Sequence, residues 1–180
     1  MKNIKTLKLF TLVFAATLIG VDRLTKWLAV VYLKPVGSVG VININGAEIL
    51  NLTYVENTGA AFSILQGQRL FLIITSCLLI IGALIFLFIC KGKDSVVIWS
   101  LALIIAGGAG NLIDRVFYGY VVDFIDFRFI NFAIFNFADI CAVTGAFLFL
   151  FVMLREEIAN IKLKKADSKT SETNRLNEHE

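Results

Sequence analysis

The stretch LFLIITSCLLIIGALIFLFIC, residues 70–90, runs for 21 residues without a charged side chain. At about 1.5 Å per residue, a helix of that length crosses a hydrocarbon core of about 30 Å. Two more blocks have the same character, because residues 96–113 carry no charge and residues 137–154 carry only Asp139. These blocks predict a chain built from membrane-crossing helices.

The composition agrees with that interpretation. The chain has 180 residues, of which 58% are hydrophobic, 16 are Phe and only one is Pro. Soluble domains are closer to half apolar, and their apolar residues are distributed over short amphipathic stretches. The length predicts one compact domain.

A fourth apolar block covers residues 7–33 but carries Asp22, Arg23 and Lys26 in its second half. Lysines before an apolar run also fit a cleaved signal peptide. No A-x-A cleavage site follows, however, and apolar sequence resumes at residues 27–33, so we expect a retained helix. The sequence thus predicts an all-α membrane protein, with residues 1–160 forming one domain of four transmembrane helices at about 7–33, 69–90, 95–117 and 136–156.

Lysine and arginine are distributed unequally between the two sides of these helices. One side has Lys2, Lys5, Lys8, Lys91, Lys93, Arg155, Lys162, Lys164, Lys165, Lys169 and Arg175, and the other has Lys34, Arg69 and Arg128. The positive-inside rule places the basic side in the cytoplasm. We therefore predict that both termini and the tight turn Lys91–Asp94 are cytoplasmic, whereas residues 34–69 and 118–135 lie outside.

The first outer segment predicts a small extracytoplasmic β element over about 39–57. Asn45-Gly46 between two apolar runs is a strong hairpin signal. Leu50 and Leu52 alternate with polar residues, as in a half-buried strand. We expect the apolar face of this element to rest on the membrane surface or on the helices.

The remaining segments offer little chemistry. Residues 161–180 are polar and aperiodic, which predicts a disordered cytoplasmic tail. Cys77, Cys90 and Cys141 lie in or beside apolar blocks without metal-ligand spacing, and they are interpreted as small buried hydrophobic residues. The only histidine, His179, lies in the tail, so neither a Cys–His nucleophile nor a metal site is predicted.

Polar side chains on three helices need an explanation, because ionisable groups inside a bilayer are costly. These are Asp22 and Lys26 on the first helix, Gly107, Asn111, Asp114 and Arg115 at helical spacing on the third, and Asn136 and Asp139 on the fourth. In the predicted orientation all of them lie near the outer surface, as do the loop acids Asp123 and Asp126. One shared depth predicts one polar pocket.

The chemistry available in that pocket is carboxylate chemistry. Two close carboxylates share a proton, so one can take a proton from water while the other polarises a carbonyl. Structural ion pairing is the alternative for the helix acids, and a solvated loop carboxylate is the alternative for Asp126. Asp139 resists such an explanation, because Asn136 would cap the helix without placing a charge in lipid. The residues alone do not separate Asp123 from Asp126.

At these residues the chain resembles the lipoprotein signal peptidases, or signal peptidase II, of bacterial membranes. Any one matching piece would be weak, but five in the family's order on the expected topology form a specific pattern. The resemblance covers residues 7–157. The pieces are DRLTK at 22–26, NTGAAF at 57–62, GGAGNLIDR at 107–115, VVDF at 121–124 and FNFAD at 135–139.

The resemblance implies a catalytic dyad of Asp123 and Asp139 and no role for Asp126. It leaves open which aspartate is ionised first. Substrate-binding or supporting positions are implied for Asn57, Gly107, Asn111, Asp114, Arg115, Asn136, Asp22 and Lys26. The implied reaction is peptide hydrolysis by an aspartic endopeptidase without metal, nucleotide or other cofactor.

The same resemblance implies the substrate and the setting. The substrate is a prolipoprotein with a diacylglyceryl cysteine, which is cut just before that cysteine to release the signal peptide. The protein is implied to be a multi-pass monomer of the bacterial inner membrane, surrounded by lipid and without a nucleic-acid partner.

Two other classes stay open on the residues alone. Paired membrane acids also serve as proton relays in transporters, although the charges here gather at one surface and the four helices show no inverted repeat. A non-catalytic membrane scaffold would use the same ion pairs for packing only.

Overall fold

The computed structural model describes residues 2–60, 64–89, 95–130 and 132–177, with side chains described between residues 6 and 165 of those ranges. The turn Lys91–Asp94 and the last two residues of NTGAAF lie outside the described residues. The elements in chain order are α1 (Lys2–Leu28), a π-helical turn (Ala29–Leu33), β1 (Ser38–Ile44), β2 (Ala47–Asn57), α2 (Arg69–Ile89), α3 (Ser95–Phe117), β3 (Val121–Phe127) and α4 (Phe137–Asn177).

Helix α3 is the centre of the bundle, since it packs against α1, α2 and α4. Its apolar residues recur at helical spacing and meet apolar residues of all three neighbours. The buried core consists of Ala15 of α1, Ala83 and Leu87 of α2, Val97, Ile98, Leu101, Ala102, Ile105 and Ala106 of α3, and Val152 of α4.

Glycines set the distance between α3 and α4. A Cβ atom on Gly107 would lie 2.4 Å from the carbonyl oxygen of Ala138 and 2.5 Å from the amide nitrogen of Ala142. A Cβ atom on Gly145 would lie 2.7 Å from the carbonyl oxygen of Ser100. Backbone atoms cannot move aside as the end of a side chain can, so this contact requires glycine, as is common between membrane helices. Gly107 therefore serves the helix contact itself.

The outside of the bundle is apolar, as lipid requires. Large hydrophobic side chains such as Leu70 and Phe147 are each 70% exposed. Within the described residues, α1 is not among the helices that are long and apolar enough to cross a membrane. The helices that could cross a membrane by these criteria are Arg69–Ile89, Ser95–Phe117 and Phe137–Lys165.

The predicted β element is one part of a three-stranded antiparallel sheet with the order β1-β2-β3. Asn45 and Gly46 join β1 to β2 with φ angles of 50° and 82°, as a tight hairpin requires. Strand β3 comes from the segment between α3 and α4, which we interpreted only as an outer loop. Its residues pair with β2 along the register Val55–Asp123 and Asn57–Val121.

The sheet is attached to the bundle through β3. Val122 and Phe124 pack against Ala29 and Leu33 at the end of the first helix. Leu52 and Tyr54 of β2 pack against the same cluster, so the apolar face expected for the first outer segment rests on the helices. Strand β1, in contrast, is exposed along its whole length.

The C-terminal segment differs from the sequence-based expectation of a disordered tail from residue 161. The backbone continues as α4 to Asn177. No glycine or proline follows Gly145, and lysine, glutamate, alanine and leucine are good helix formers. Low hydrophobicity therefore predicted the absence of a packed core, but it did not exclude a helix.

The α3–α4 contact can be tested at Gly107. We expect Gly107→Ala to lower the free energy of unfolding by about 1–3 kcal/mol, because the new methyl group overlaps backbone atoms and forces the helices apart. Thermal unfolding of the purified protein measures this. Gly82→Ala is the matched control, since a Cβ there meets nothing within 4 Å; equal stability of the two variants would contradict the proposed packing.

Candidate active site

Asp123 is the third residue of β3, and its side chain is buried. Two asparagine amides donate to its two carboxylate oxygens. Asn57 Nδ2 lies 2.9 Å from Oδ2, and Asn136 Nδ2 lies 2.6 Å from Oδ1. The sheet register brings Asn57 close, because its backbone pairs with Val121 two residues before Asp123.

Asp139 is the third residue of α4, and it forms a reciprocal cap with Asn136. The backbone N–H of Asp139 donates to Asn136 Oδ1, and the backbone N–H of Asn136 donates to Asp139 Oδ2, each at 3.0 Å. This is the geometry of a capping box. A second donor to this carboxylate, Asn111 Nδ2, lies 2.7 Å from its other oxygen.

Asn136 links the two carboxylates. Its amide donates to Asp123 and also lies 3.1 Å from Oδ1 of Asn111, whose own amide donates to Asp139. Its side chain thus contacts Asn111, Asp123 and the backbone of Asp139, and it is completely buried. The sequence left open whether these asparagines bind substrate or support the site. Their amides are engaged within the protein, which favours support.

Both aspartates line a cavity of about 420 Å³. Asn57, Asn111 and Arg115 add polar groups to its wall. The other lining residues are mostly apolar, and they include Val121, Phe127, Phe132, Ala133, Ile134, Phe135, Ile140 and Val143. An apolar cavity with convergent polar groups is typical of a site that binds an extended or lipid-like ligand.

The environment of Asp123 favours its protonated form. Burial, followed by the negative charge of Asp139, raises the pKa of Asp123 from 3.8 to about 6. The amides of Asn57 and Asn136 and the charge of Lys26 oppose that rise. A carboxyl group with this pKa can exchange a proton near neutral pH, which is the requirement for general acid–base chemistry.

Behind the aspartates, Lys26 is buried against three oxygens. Its Nζ lies 3.1 Å from Asp22 Oδ2, 2.8 Å from Asp114 Oδ2 and 2.8 Å from Asn111 Oδ1. The predicted face of Asp22 and Lys26 therefore does meet the predicted face of Asn111 and Asp114. Asp22 also accepts the backbone N–H of Ala138 at 3.0 Å, which connects α1 to the first turn of α4.

Arg23 belongs to the same cluster, and the sequence reasoning gave it no role. It binds Asp114 through one guanidinium nitrogen, and through another it binds Asp22 at 2.6 Å and the Gly110 carbonyl at 2.8 Å. Gly110 leaves room for this arrangement, since a Cβ there would lie 2.7 Å from Asp22 Oδ2. Arg23 and Gly110 both lie in the sequence motifs quoted for the family resemblance. Adjacent residues such as Asp22 and Arg23 do not share a helix face, so helical spacing did not reveal the role of Arg23.

Arg115 supports the loop that follows β2. It donates to the Gly59 carbonyl at 2.9 Å, while Asn57 holds the same loop by accepting the Gly59 N–H at 2.9 Å. Arg115 and Asn111 also line a second cavity of about 460 Å³ between α2, α3 and α4. The two cavities therefore meet at these side chains.

The structure separates Asp126 from the other acids. It accepts from Thr53 Oγ1 and pairs with Arg128 Nε, both at 2.7 Å. It is buried rather than solvated, contrary to our expectation, because these partners cover it. A shift of three residues along a strand reverses the face, so Asp126 points away from Asp123.

The described residues offer no obvious alternative chemistry. Within them, no three His, Cys, Asp or Glu side chains converge as a metal site. Cys77 and Cys141 are unpaired thiols, and Cys141 is buried as expected. Cys90 lies outside the described residues.

Comparisons with known proteins cover this site and the helices that hold it. A protein-family model described as signal peptidase (SPase) II matches residues 14–155. A lipoprotein signal peptidase of Caldanaerobacter subterraneus subsp. tengcongensis is 45% identical over 144 residues, which cover 79% of this chain and 94% of that protein. One of Streptococcus pneumoniae is 44% identical over 146 residues, which cover 81% and 93%.

Solved structures show the same architecture. A bacterial membrane enzyme superposes with a TM-score of 0.71 at 32% sequence identity, covering 81% of this chain and 92% of that one. Another superposes with a TM-score of 0.70 at 30% identity, covering 82% and 89%.

The raised pKa of Asp123 predicts a pH-dependent stability. The folded state holds this proton more tightly than the unfolded chain, so the stability it contributes is present below pH 3.8 and is lost as the pH rises to about 6. Asn57→Leu removes a donor that lowers the pKa, so the loss should extend to a pH about one unit higher. Thermal unfolding of wild type, Asn57→Leu and Asp123→Asn across this range isolates the contribution. An unchanged Asn57→Leu curve would contradict the assigned hydrogen bond.

Proposed function

The chain belongs to the signal peptidase II family, and from that membership we propose that Asp123 and Asp139 are its catalytic dyad and cut prolipoproteins just before a diacylglyceryl cysteine. The curated relatives are lipoprotein signal peptidases, and the chain is a peptidase that removes signal peptides of this class. The observation that supports the dyad most strongly is the pair of buried carboxylates, joined through Asn136, on the wall of one apolar cavity.

The geometry suits hydrolysis through a water molecule between the two carboxyl groups. The ionised aspartate removes a proton from that water, whose oxygen attacks the scissile carbonyl carbon. The protonated aspartate hydrogen-bonds the carbonyl oxygen, where negative charge develops. Collapse of the tetrahedral intermediate breaks the C–N bond, and the leaving amine takes a proton from the dyad.

The apolar cavity suits the substrate class. A signal peptide crosses lipid as a helix, and its scissile carbonyl becomes accessible only when the helix unwinds locally. The apolar wall formed by residues such as Phe132, Ile140 and Val143 offers a surface for acyl chains of a lipidated cysteine. Small residues in the loop held by Asn57 and Arg115 allow close approach of an unwound backbone.

The same proposal includes a fourth membrane crossing by α1. Its outward side chains are apolar, with Leu9, Phe10 and Trp27 each more than half exposed. Its charged residues Asp22 and Lys26 face the bundle instead and are almost completely buried. A helix with apolar groups outside and ion pairs inside suits a membrane interior. The protein is then a four-span protein of the inner membrane.

The two alternative functions that the residues left open, a transporter and a non-catalytic scaffold, fit the structure less well. A transporter would use a proton path from one side of the membrane to the other, whereas the described acids of this site gather at one end of the bundle. A scaffold would leave the cavity beside the aspartates without purpose. Neither explains why the chain matches a peptidase family over residues 14–155.

Cleavage of a purified diacylglyceryl-modified prolipoprotein tests the dyad. We expect Asp123→Asn and Asp139→Asn to reduce the rate at least about 100-fold, because each removes a proton-transfer group. Thermal unfolding confirms that both variants fold.

Asp126→Asn is the matched control on the same strand. We expect its cleavage rate to be close to that of wild type, since Asp126 contacts Thr53 and Arg128 rather than the dyad. Cleavage at the wild-type rate by both dyad variants would contradict the assignment of the catalytic dyad. An inactive wild-type protein would contradict the proposed substrate.

The orientation is tested by labelling single cysteines in intact cells with a membrane-impermeant maleimide, after the three native cysteines are replaced by alanine. Ser38→Cys on the exposed strand β1 should react from outside. Lys164→Cys should react only after the membrane is opened, because the positive-inside rule places it in the cytoplasm. The reverse pattern would invert the topology.

A further inference from the structure

Lys26 determines the orientation of the Asn111 amide. An ammonium group has three N–H donors and no acceptor, and Lys26 directs all three at oxygens of Asp22, Asp114 and Asn111. The Asn111 atom that faces Lys26 must therefore be Oδ1. Its Nδ2 is then turned towards Asp139, at 2.7 Å from Oδ1 of that carboxylate.

The orientation passes on to the next amide. Because Asn111 presents an oxygen, the group of Asn136 that lies 3.1 Å away must be its NH₂ group. Asn136 then directs its second N–H at Asp123, 2.6 Å away, and its Oδ1 at the N–H of Asp139. One buried cation thus orients two amides in series, each of which donates to one aspartate.

The charges of the site do not balance unless one proton is present. The cations that face the site are Arg23, Lys26 and Arg115, and the carboxylates are Asp22, Asp114, Asp123 and Asp139. Three positive and four negative charges leave one negative charge in a buried site. Such a charge costs several kcal/mol in a protein interior, so one carboxyl group retains a proton.

The surroundings of the two dyad members are unequal. Asp139 lies in the first turn of α4, where the helix dipole favours a negative charge, and both Lys26 and Arg115 attract its carboxylate. Asp123 lies on a strand, without a helix end, and the charges of Lys26 and Arg115 act on its carboxylate as well as on that of Asp139. The repulsion between the two carboxylates is mutual, so it favours one shared proton, and the helix end at Asp139 favours that proton on Asp123.

We propose that Lys26 is a positioning residue that, through Asn111, keeps the negative charge of the dyad on Asp139 and leaves the proton on Asp123. This rests on the proposed dyad and assigns its two roles. Lys26 does not touch the reacting atoms.

The assignment gives a balanced reaction. Asp139 takes a proton from water as the C–O bond forms, and the carbonyl oxygen takes the proton of Asp123 as the π electrons move to it. In the second step the C–N bond breaks and its electron pair stays on nitrogen, which takes the proton from Asp139. One hydroxyl of the diol then returns a proton to Asp123, which leaves a carboxylic acid and an amine as products.

Thermal unfolding of the full-length protein, at a pH well above the raised pKa of Asp123 of about 6, tests the assignment without cleavage. Asp123→Asn should raise the midpoint by about 2–4 °C, because it removes the buried charge that no helix end stabilises. Asp139→Asn should lower the midpoint or leave it unchanged, because it removes a charge that cations and a helix end stabilise. The opposite order would place the proton on Asp139, and equal shifts would show that neither carboxyl group is preferred.

The role of Lys26 is tested by repeating that comparison in Lys26→Met/Asp22→Asn, which preserves the charge balance. The difference between the two aspartate variants should shrink, whereas simple bracing would lower every midpoint equally and leave the difference intact. Lys34→Met/Glu56→Gln, which removes an exposed ion pair of 2.8 Å, should preserve the difference.

A second variant guards against misfolding of the double substitution. Asn111→Leu keeps both ion pairs of Lys26 but breaks the link to Asp139, so it should also reduce the difference. An undiminished difference in Asn111→Leu would overturn the inference. Cleavage measured on the same proteins separates this outcome from a failure of the proposed dyad, which would appear as active, folded Asp123→Asn.

Discussion

The buried ammonium group of Lys26 is the interaction on which the rest of the structure depends. A charge removed from water is stable only with several partners, and this one contacts two carboxylates and an amide from two helices. Those partners hold α1 against α3, and Asp22 extends the contact to the first turn of α4. One constraint thus fixes three helices at the depth where the aspartates lie.

The site forms where the bundle meets the sheet, and each supplies one aspartate. Asp139 is fixed by the capping geometry of α4, and Asp123 is fixed by the pairing of β3 with β2. Asn136 connects the two, so a shift of either element would break a buried hydrogen bond. The glycine contacts between α3 and α4 are therefore part of the site, because they set the distance between Asn111 and Asp139.

Much of this arrangement could be predicted from sequence, and the failures have specific causes. Helical spacing placed Asp22 with Lys26, and Asn111 with Asp114, on faces that do meet. Strand β3 was missed because its pairing partner is distant in the chain. Arg23 was missed because its long side chain contacts Asp114 and Gly110 of the neighbouring helix α3, which helical spacing within α1 does not reveal. The helical tail was missed because polarity reports on burial and not on backbone conformation.

The sequence by itself determined the apolar helices, the helical faces that carry the polar residues and the family, since hydrophobic length, helical spacing and short motifs are local properties of a chain. The family resemblance favoured Asp123 over Asp126, but only the tertiary structure gives the physical difference between these two acids, which are close in sequence and chemically identical. The separation depends on the register of β3 against β2, which turns one carboxyl group towards Asn57 and Asn136 and the other towards Thr53 and Arg128. Register arises from long-range pairing, so no local pattern carries it.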